Sequence, residues 1–125
     1  SNGVLKKIEE TTILGNDFKG TFSSADIHIS PDGKFLYASN RGEANTITIF
    51  KIIKNGKLQM KGQTSTLGKG PRNFAIDPTG NFLLVAHQFT NDVVIFKRNK
   101  TTGMLLNTGK KITLCSPVCL VFTKN

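Results

Sequence analysis

The 125-residue chain contains no tryptophan, only two cysteines, and eight acidic residues against seventeen basic ones. Without tryptophan it cannot carry the Trp-Asp pair that marks one widespread class of repeats of about 40 residues. No apolar run approaches the roughly 20 residues that a membrane-spanning helix requires. These absences leave a chain whose length suits one ordinary domain with a modest core.

The two cysteines, Cys115 and Cys119, lie on either side of Pro117. In an extended segment their Cα atoms would be about 13 Å apart, which is too far for a disulfide. A metal site would need further Cys or His residues nearby, and the sequence offers none there. We therefore expect two reduced, partly buried thiols, no metal, no cofactor and a cytoplasmic location.

The formal charge of +9 suggests nucleic acid or an anionic membrane as a partner. The lysines, however, are spread over turns and strand ends and form no block, which is typical of a solvated basic surface. We expect neither nucleic acid nor membrane as a partner. An anionic small-molecule substrate is compatible with the charge.

The sequence repeats itself. The segment SADIHISPDGKFLYASNRG returns later as PRNFAIDPTGNFLLVAHQ, so that Pro31 corresponds to Pro78 and Gly33 to Gly80, with an offset of 47 in both pairs. Each copy contains four strand-like runs that are separated by Gly, Pro and polar turn residues. A repeat of this length with four strands per copy predicts the blades of a β-propeller.

The repeat also divides the chain. Residues 24–68 and 70–115 are each predicted to be a whole blade, residues 3–14 the last strand of a preceding blade, and 116–122 the first strand of a further blade. Propellers usually close with about 4 to 8 blades. We therefore expect an all-β partial propeller of about two and a half four-stranded antiparallel blades, which is a fragment of a longer protein. Its open strand edges predict self-association.

Polar residues collect at one predicted rim. Alternate connections of an antiparallel meander lie at opposite edges of the sheet, so the starts of the first strands share a rim with the ends of the second strands. This rim carries Ala25, Asp26, Asn40, Arg41, Lys69, Arg72, Asn73, His87, Gln88 and Asn91. Propeller ligands bind at such a rim, around the central channel.

The same motifs, together with VVIFKRNKTTGML and SPVCLVF, resemble the last blades of the bacterial 6-phosphogluconolactonase family, which has a seven-bladed propeller fold. Fungal carboxymuconate-cyclising enzymes are relatives within that family. The resemblance covers residues 18–122 and implies the C-terminal blades of such a propeller. It also implies that the full-length protein hydrolyses 6-phosphogluconolactone to 6-phosphogluconate in the pentose phosphate pathway.

The resemblance further implies the site residues. Arg41 matches an arginine of the family's active-site cleft, and Arg72 matches a second arginine-bearing motif on the same face. A guanidinium offers a planar, permanently charged fork to a phosphate or an oxyanion. We expect Arg41 and His87 to be catalytic, although the family usually has Asn at position 87. The predicted substrate contacts are Arg72, Asn73, Gln88 and Asp26.

Each of these residues also has a structural interpretation. Arg41 could pair with Glu43, and Arg72 could reach a neighbouring blade. His87 could be a buried structural histidine, and Asp26 could anchor a loop by accepting backbone N–H groups. The function has alternatives too. The chain could belong to a non-enzymatic propeller that binds a partner on this rim, or to an enzyme that acts on a muconate-type lactone.

Overall fold

The computed structural model describes residues 2–123. Eight strands form two four-stranded antiparallel sheets, each with its strands in chain order. The first sheet contains β1 (Phe22–Ile29), β2 (Phe35–Gly42), β3 (Thr46–Ile52) and β4 (Leu58–Ser65). The second sheet contains β5 (Pro71–Ile76), β6 (Phe82–His87), β7 (Asp92–Arg98) and β8 (Leu105–Thr113). The prediction of an all-β fold with four-stranded antiparallel blades is confirmed.

A glycine with left-handed backbone closes the first hairpin of each sheet. Gly33 (φ 68°) donates its N–H to the Ser30 carbonyl over 2.8 Å, and Gly80 (φ 70°) donates to the Asp77 carbonyl over 2.8 Å. Only glycine adopts this φ without steric cost. Because these two turns are equivalent in the repeat, β1–β2 and β5–β6 fold back in the same way, and both turns lie at one rim.

The two sheets pack face to face through alternate strand residues. Successive side chains of a strand point to opposite faces, so every second residue reaches the space between the sheets. The buried layer consists of Phe35, Tyr37, Ile47 and Ile49 from the first sheet and Phe74, Leu83, Val85, Val94, Phe96 and Leu105 from the second. This layer is the hydrophobic core of the chain.

The outward faces of both sheets expose apolar side chains. Ile27 and Ile29 of β1 are 61% and 59% exposed, and Leu106 and Ile112 of β8 are 68% and 48% exposed. In a repeat architecture, a neighbouring unit covers each such face. No helix among residues 2–123 has the length and apolar character needed to cross a membrane.

The strands predicted at the two ends, over 3–14 and 116–122, do not form. A strand must share its backbone hydrogen bonds with a neighbouring strand, and among the described residues neither segment has a ladder partner. Both segments nevertheless contact the sheets. The Ile13 carbonyl accepts the Asn40 side-chain amide over 2.8 Å, and the Leu120 N–H donates to Asn73 Oδ1 over 2.7 Å.

A buried arginine joins the two sheets at the rim that carries the glycine turns. Arg98 Nη2 lies 2.8 Å from Asp32 Oδ2, and Arg98 Nε donates to the Tyr37 hydroxyl over 2.8 Å. The Tyr37 hydroxyl donates in turn to the Gly103 carbonyl over 2.7 Å. Burial would raise the pKa of Asp32, but hydrogen bonds from Ser30 and Arg98 outweigh it and lower the pKa from 3.8 to about 2.

Replacing Asp32 with asparagine should remove part of the acid sensitivity of the fold. Because the folded-state pKa lies below the unfolded value, ionised Asp32 stabilises the protein above about pH 4, and this contribution is lost as the pH falls towards 2. Because Asp32 is partly exposed and solvent screens its charge, this contribution is on the order of 1 kcal/mol at neutral pH. Urea unfolding across this pH range should show a flatter decline for Asp32→Asn than for the wild type.

A Glu10→Gln variant provides the control, since this carboxylate is exposed and pairs only with Lys7. It should lose stability with acid as steeply as the wild type. An Asp32→Asn variant with the wild-type decline would show that the Arg98 contact does not carry the effect.

Candidate functional site

A cleft opens at the rim opposite the glycine turns, between the inner strands of the two sheets. Its volume is about 280 Å³. It is lined by Ser24, Ala25, Asp26, Arg41, Arg72, Asn73 and Val118. Four predicted site residues, Asp26, Arg41, Arg72 and Asn73, are therefore brought together, whereas His87 and Gln88 do not line the cleft.

Strand register places both arginines at this rim. Arg41 lies next to the end of β2, opposite Ser23 of β1. Arg72 follows Pro71 at the start of β5. Because β2 ends and β5 begins at the same rim, two basic side chains from different sheets reach one cleft. An irregular register between Ser24 and Ile27 interrupts β1 beside them, as bulges often do next to functional sites.

The guanidinium of Arg41 has no carboxylate partner among residues 2–123. Its Nε atom is buried and makes no hydrogen bond within this described range. The alternative pairing with Glu43 does not form, because that carboxylate accepts the N–H and the hydroxyl of Thr21 over 2.6 and 3.2 Å. A buried donor without a partner is costly, so this group is suited to an anion that enters the cleft.

Arg72 is exposed at the cleft and contacts its own sheet. Its Nη1 lies 3.4 Å from Gln88 Oε1, so Gln88 reaches the site only through Arg72. The alternative contact with a neighbouring blade is not observed in the described part of the chain. Like Arg41, Arg72 forms no ion pair there. Two permanent cations without carboxylate partners make the cleft an electropositive environment.

Asp26, whose carboxylate also lines the cleft, connects the two sheets. Its Oδ2 accepts the Asn73 side-chain amide over 2.7 Å and the Phe74 N–H over 3.0 Å, both from β5. Its Oδ1 accepts the Ile27 N–H over 2.9 Å. The contacts agree with the interpretation of Asp26 as an anchor. Because N–H donors surround the carboxylate, its charge does not neutralise the arginines through an ion pair.

The structure does not bring His87 to the cleft. Its side chain is fully buried, with Nδ1 2.8 Å from Asp92 Oδ1. The ring lies against Gly68, where a Cβ atom would come within 2.5 Å of it. Burial lowers the pKa of His87, and the nearby Asp92 opposes this shift without reversing it. A general base must lie within hydrogen-bond reach of the reacting water, and in this chain the ring of His87 is buried away from the cleft, in line with the alternative interpretation as a structural histidine.

The cleft is also lined by three residues for which the sequence predicts no role, Ser24, Ala25 and Val118. The repeat could have identified two of them, since Ala25, Arg72 and Val118 occupy the same position in three successive units. Only one of these three residues is charged. The repeat therefore locates the wall of the cleft, while the individual side chain decides its chemistry. No pattern in the sequence singles out Ser24.

The described residues offer no metal centre. Within residues 2–123, no group of three His, Cys, Asp or Glu side chains is arranged to hold a metal ion. Cys115 and Cys119 are free and, contrary to the expectation of partial burial, exposed. The cleft presents mainly guanidinium and amide donors, which suit anions better than cations.

Comparison with known proteins assigns the family. The family model described as "Lactonase, 7-bladed beta-propeller" matches residues 1–122. The chain belongs to this family of propeller lactonases, and its two sheets are blades of such a propeller.

Its relatives include named enzymes. The 6-phosphogluconolactonase of Formosa agariphila is 55% identical over 106 residues, which cover 83% of this chain and 30% of that protein. The Bacillus subtilis 6-phosphogluconolactonase is 33% identical over 121 residues, which cover 96% and 34%. The solved periplasmic gluconolactonase of Pseudomonas aeruginosa has a TM-score of 0.94 at 31% identity, covering 99% of this chain and 34% of its own. The chain thus spans about a third of the length of these relatives.

Replacing His87 with asparagine should flatten the pH dependence of stability around neutrality. The folded-state pKa lies below the ordinary value of 6.5, so the unfolded chain takes up the proton first and stability falls as the pH drops below about 6.5. Asparagine is the repeat-equivalent residue, Asn40, and fits the same place in the first sheet. Denaturant unfolding at about pH 7 and pH 5 measures the difference.

His28→Asn serves as the comparison, because it leaves the buried His87–Asp92 pair intact. This variant should keep the part of the pH dependence that the burial of His87 produces. If His87→Asn keeps it as well, burial of His87 is not its source.

Proposed function

We propose that this chain supplies part of the substrate cleft of a sugar-phosphate lactonase, which hydrolyses 6-phosphogluconolactone to 6-phosphogluconate. The observation that carries the proposal is the pair Arg41 and Arg72, which line one cleft and have no carboxylate partner among the described residues. The names of two relatives, both 6-phosphogluconolactonases, support the substrate.

The chemistry of lactone opening fits these residues. Water adds to the ring carbonyl, negative charge develops on the carbonyl oxygen, and the ring C–O bond then breaks to give a carboxylate and a hydroxyl group. The phosphate is negatively charged throughout. Arg41, whose buried Nε has no hydrogen-bond partner among residues 2–123, would stabilise the oxyanion or bind the phosphate. Arg72 supplies a second contact to the anion.

The cleft residues of this chain do not provide a general base. His87 is buried elsewhere, and the Asp26 carboxylate accepts hydrogen bonds from the protein itself. The group that activates water would therefore come from another part of the full-length protein. The isolated 125-residue chain should bind the anionic product and fail to hydrolyse the lactone.

The arginines would also accept a carboxylate, so a muconate-type lactone is the second candidate. A relative named gluconolactonase acts, by its name, on a sugar lactone without phosphate. We propose a cytoplasmic location for the protein. The relative from Pseudomonas aeruginosa, in contrast, is named periplasmic. A non-enzymatic binding role on the same rim would leave the full-length protein without lactonase activity.

Substituting either arginine should test the cleft directly. In the full-length protein, Arg41→Gln should lower kcat/KM for the phosphorylated lactone by roughly 100-fold, the usual cost of removing a donor to a developing oxyanion. Arg72→Gln, at an exposed position, should raise KM more than it lowers kcat. Initial rates of lactone hydrolysis by each variant provide the measurement.

Lys69→Gln is the matched control, since this exposed lysine lies at the same rim but does not line the cleft. It should leave both kinetic constants near wild type. Equal rates in Arg41→Gln and wild type would exclude Arg41 from the reaction, and hydrolysis by the isolated 125-residue chain would refute the view that the base lies outside it.

We further propose that copies of this chain associate through their open sheet faces and edges. Phe82, Leu84 and Ile95 of the second sheet are the repeat equivalents of Phe35, Tyr37 and Ile49, which are buried between the sheets. A second copy can therefore present its first sheet to this face and repeat the packing inside the chain.

Light scattering should detect this association as a mass that rises with concentration. Ile29→Lys, on an exposed position of β1, should weaken it without unfolding the chain, because this side chain is 59% exposed. A wild-type chain that stays monomeric at high concentration would contradict the proposal.

A further inference from the structure

Two residues at the same position of the repeat, Asp26 and Asn73, each accept a backbone N–H from the following unit. Asp26 Oδ2 accepts the Phe74 N–H over 3.0 Å. Its equivalent in the next unit, Asn73, accepts the Leu120 N–H through Oδ1 over 2.7 Å. The first contact joins β1 to β5, and the second joins β5 to the C-terminal segment. A side chain at this position therefore bridges each inner strand to the following unit.

Asn73 connects the two bridges. Its Nδ2 donates to Asp26 over 2.7 Å while its Oδ1 accepts from Leu120. A carboxylate only accepts hydrogen bonds, whereas an amide both donates and accepts. Because Asp26 is followed by Asn73 at the equivalent position, the contacts continue from β1 through β5 to the C-terminal segment. The same two contacts fix the orientation of the Asn73 amide.

The bridge between Asp26 and Asn73 belongs to the wall of the anion cleft. Both residues line it, and Arg72 is the residue immediately before Asn73 in β5. Arg41 is carried by β2, which pairs with β1. The bridge is therefore one of two side-chain contacts at this rim that hold the sheet bearing Arg41 to the strand bearing Arg72. The other is Asn45 Oδ1, which accepts the Gly70 N–H over 3.0 Å just before β5. Hydrogen bonds to a charged group are about twice as strong as neutral ones.

Asp26 is surrounded by groups that hold its carboxylate. Besides Asn73 and Phe74, the Ile27 N–H donates to Oδ1 over 2.9 Å, and His28 Nε2 lies 3.0 Å from Oδ2. A carboxylate engaged in this way is poorly placed to take a proton from water.

We propose that Asp26 is a positioning residue of the cleft, which sets the separation of Arg41 and Arg72 through Asn73 and takes no proton in the reaction. Its kinetic consequences rest on the proposed function. Its consequence for anion binding does not, because the arginines and the bridge are all within this chain.

Two substitutions break the bridge from opposite sides in the full-length protein. Asp26→Ala, which removes the acceptor oxygens, and Asn73→Ala should each raise KM for the phosphorylated lactone roughly tenfold, because small displacements of binding groups are costly. Each should leave kcat within about threefold of wild type. The double variant should resemble the single ones, because all three lack the same contact. The acid limb of the pH–rate profile should stay where it is.

A base at Asp26 would give different results. Asp26→Ala would then lower kcat by about 100-fold or more and remove the acid limb, while Asn73→Ala would not. Additive effects in the double variant would likewise overturn the proposal. Two variants are used so that poor folding of one does not decide the outcome.

Asp32→Asn separates positioning from stability. It breaks a contact between the same two sheets, with Arg98, at the rim away from the cleft. It should lower the free energy of unfolding without changing KM. A rise in KM equal to that of Asp26→Ala would show that loosening of the sheets in general is responsible, and the positioning role would be excluded.

Inorganic phosphate provides a second readout with the 125-residue chain alone. Side-chain Nε–H signals of Arg41 and Arg72, followed by NMR, should shift on titration of the wild type and require roughly tenfold more phosphate in Asp26→Ala. Equal phosphate affinity in both would refute the positioning role. No binding by the wild type would overturn both proposals, whereas phosphate binding without hydrolysis by the full-length protein would overturn the enzymatic one alone.

Discussion

The two sheets meet through a buried apolar layer, in which Phe35 and Tyr37 face Phe74 and Phe96. Burial of such side chains contributes about 1.5–3 kcal/mol each, so this layer is the main source of stability. Apolar contacts are non-directional, however, and do not fix how one sheet is oriented on the other. The polar contacts at the two rims supply that direction, through Arg98 at one rim and Asp26 at the other.

Both rims carry arginine side chains, but the groups around these arginines differ. At the turn rim, the Arg98 guanidinium is fully buried and satisfied by protein groups, so it cannot bind anything else. At the cleft rim, Arg41 and Arg72 have no carboxylate partner within residues 2–123, while the acidic residue beside them is engaged by amide groups. The distribution of acceptors, and not the number of arginines, distinguishes a structural rim from a binding rim.

The parts of the fold that depend on local signals could be predicted from the sequence. Turn residues and alternating apolar positions predicted both sheets and placed Arg41 and Arg72 at one rim. His87 is predicted at the same site because it lies at the end of a strand. The direction of its side chain, however, depends on contacts with Asp92 and Gly68, which the local pattern does not reveal. The assignment of the terminal segments to further blades stays a prediction, since strand pairing depends on neighbours that a local pattern does not contain.

The composition of the interface has an optical consequence. The chain has one tyrosine and no tryptophan, and the single tyrosine, Tyr37, is fully buried between the sheets with its ring 5.8 Å from the Arg98 guanidinium. Tyrosine emission of this chain therefore comes from one ring at one place. Any change in its intensity reports on the contact between the two sheets, without an added fluorophore.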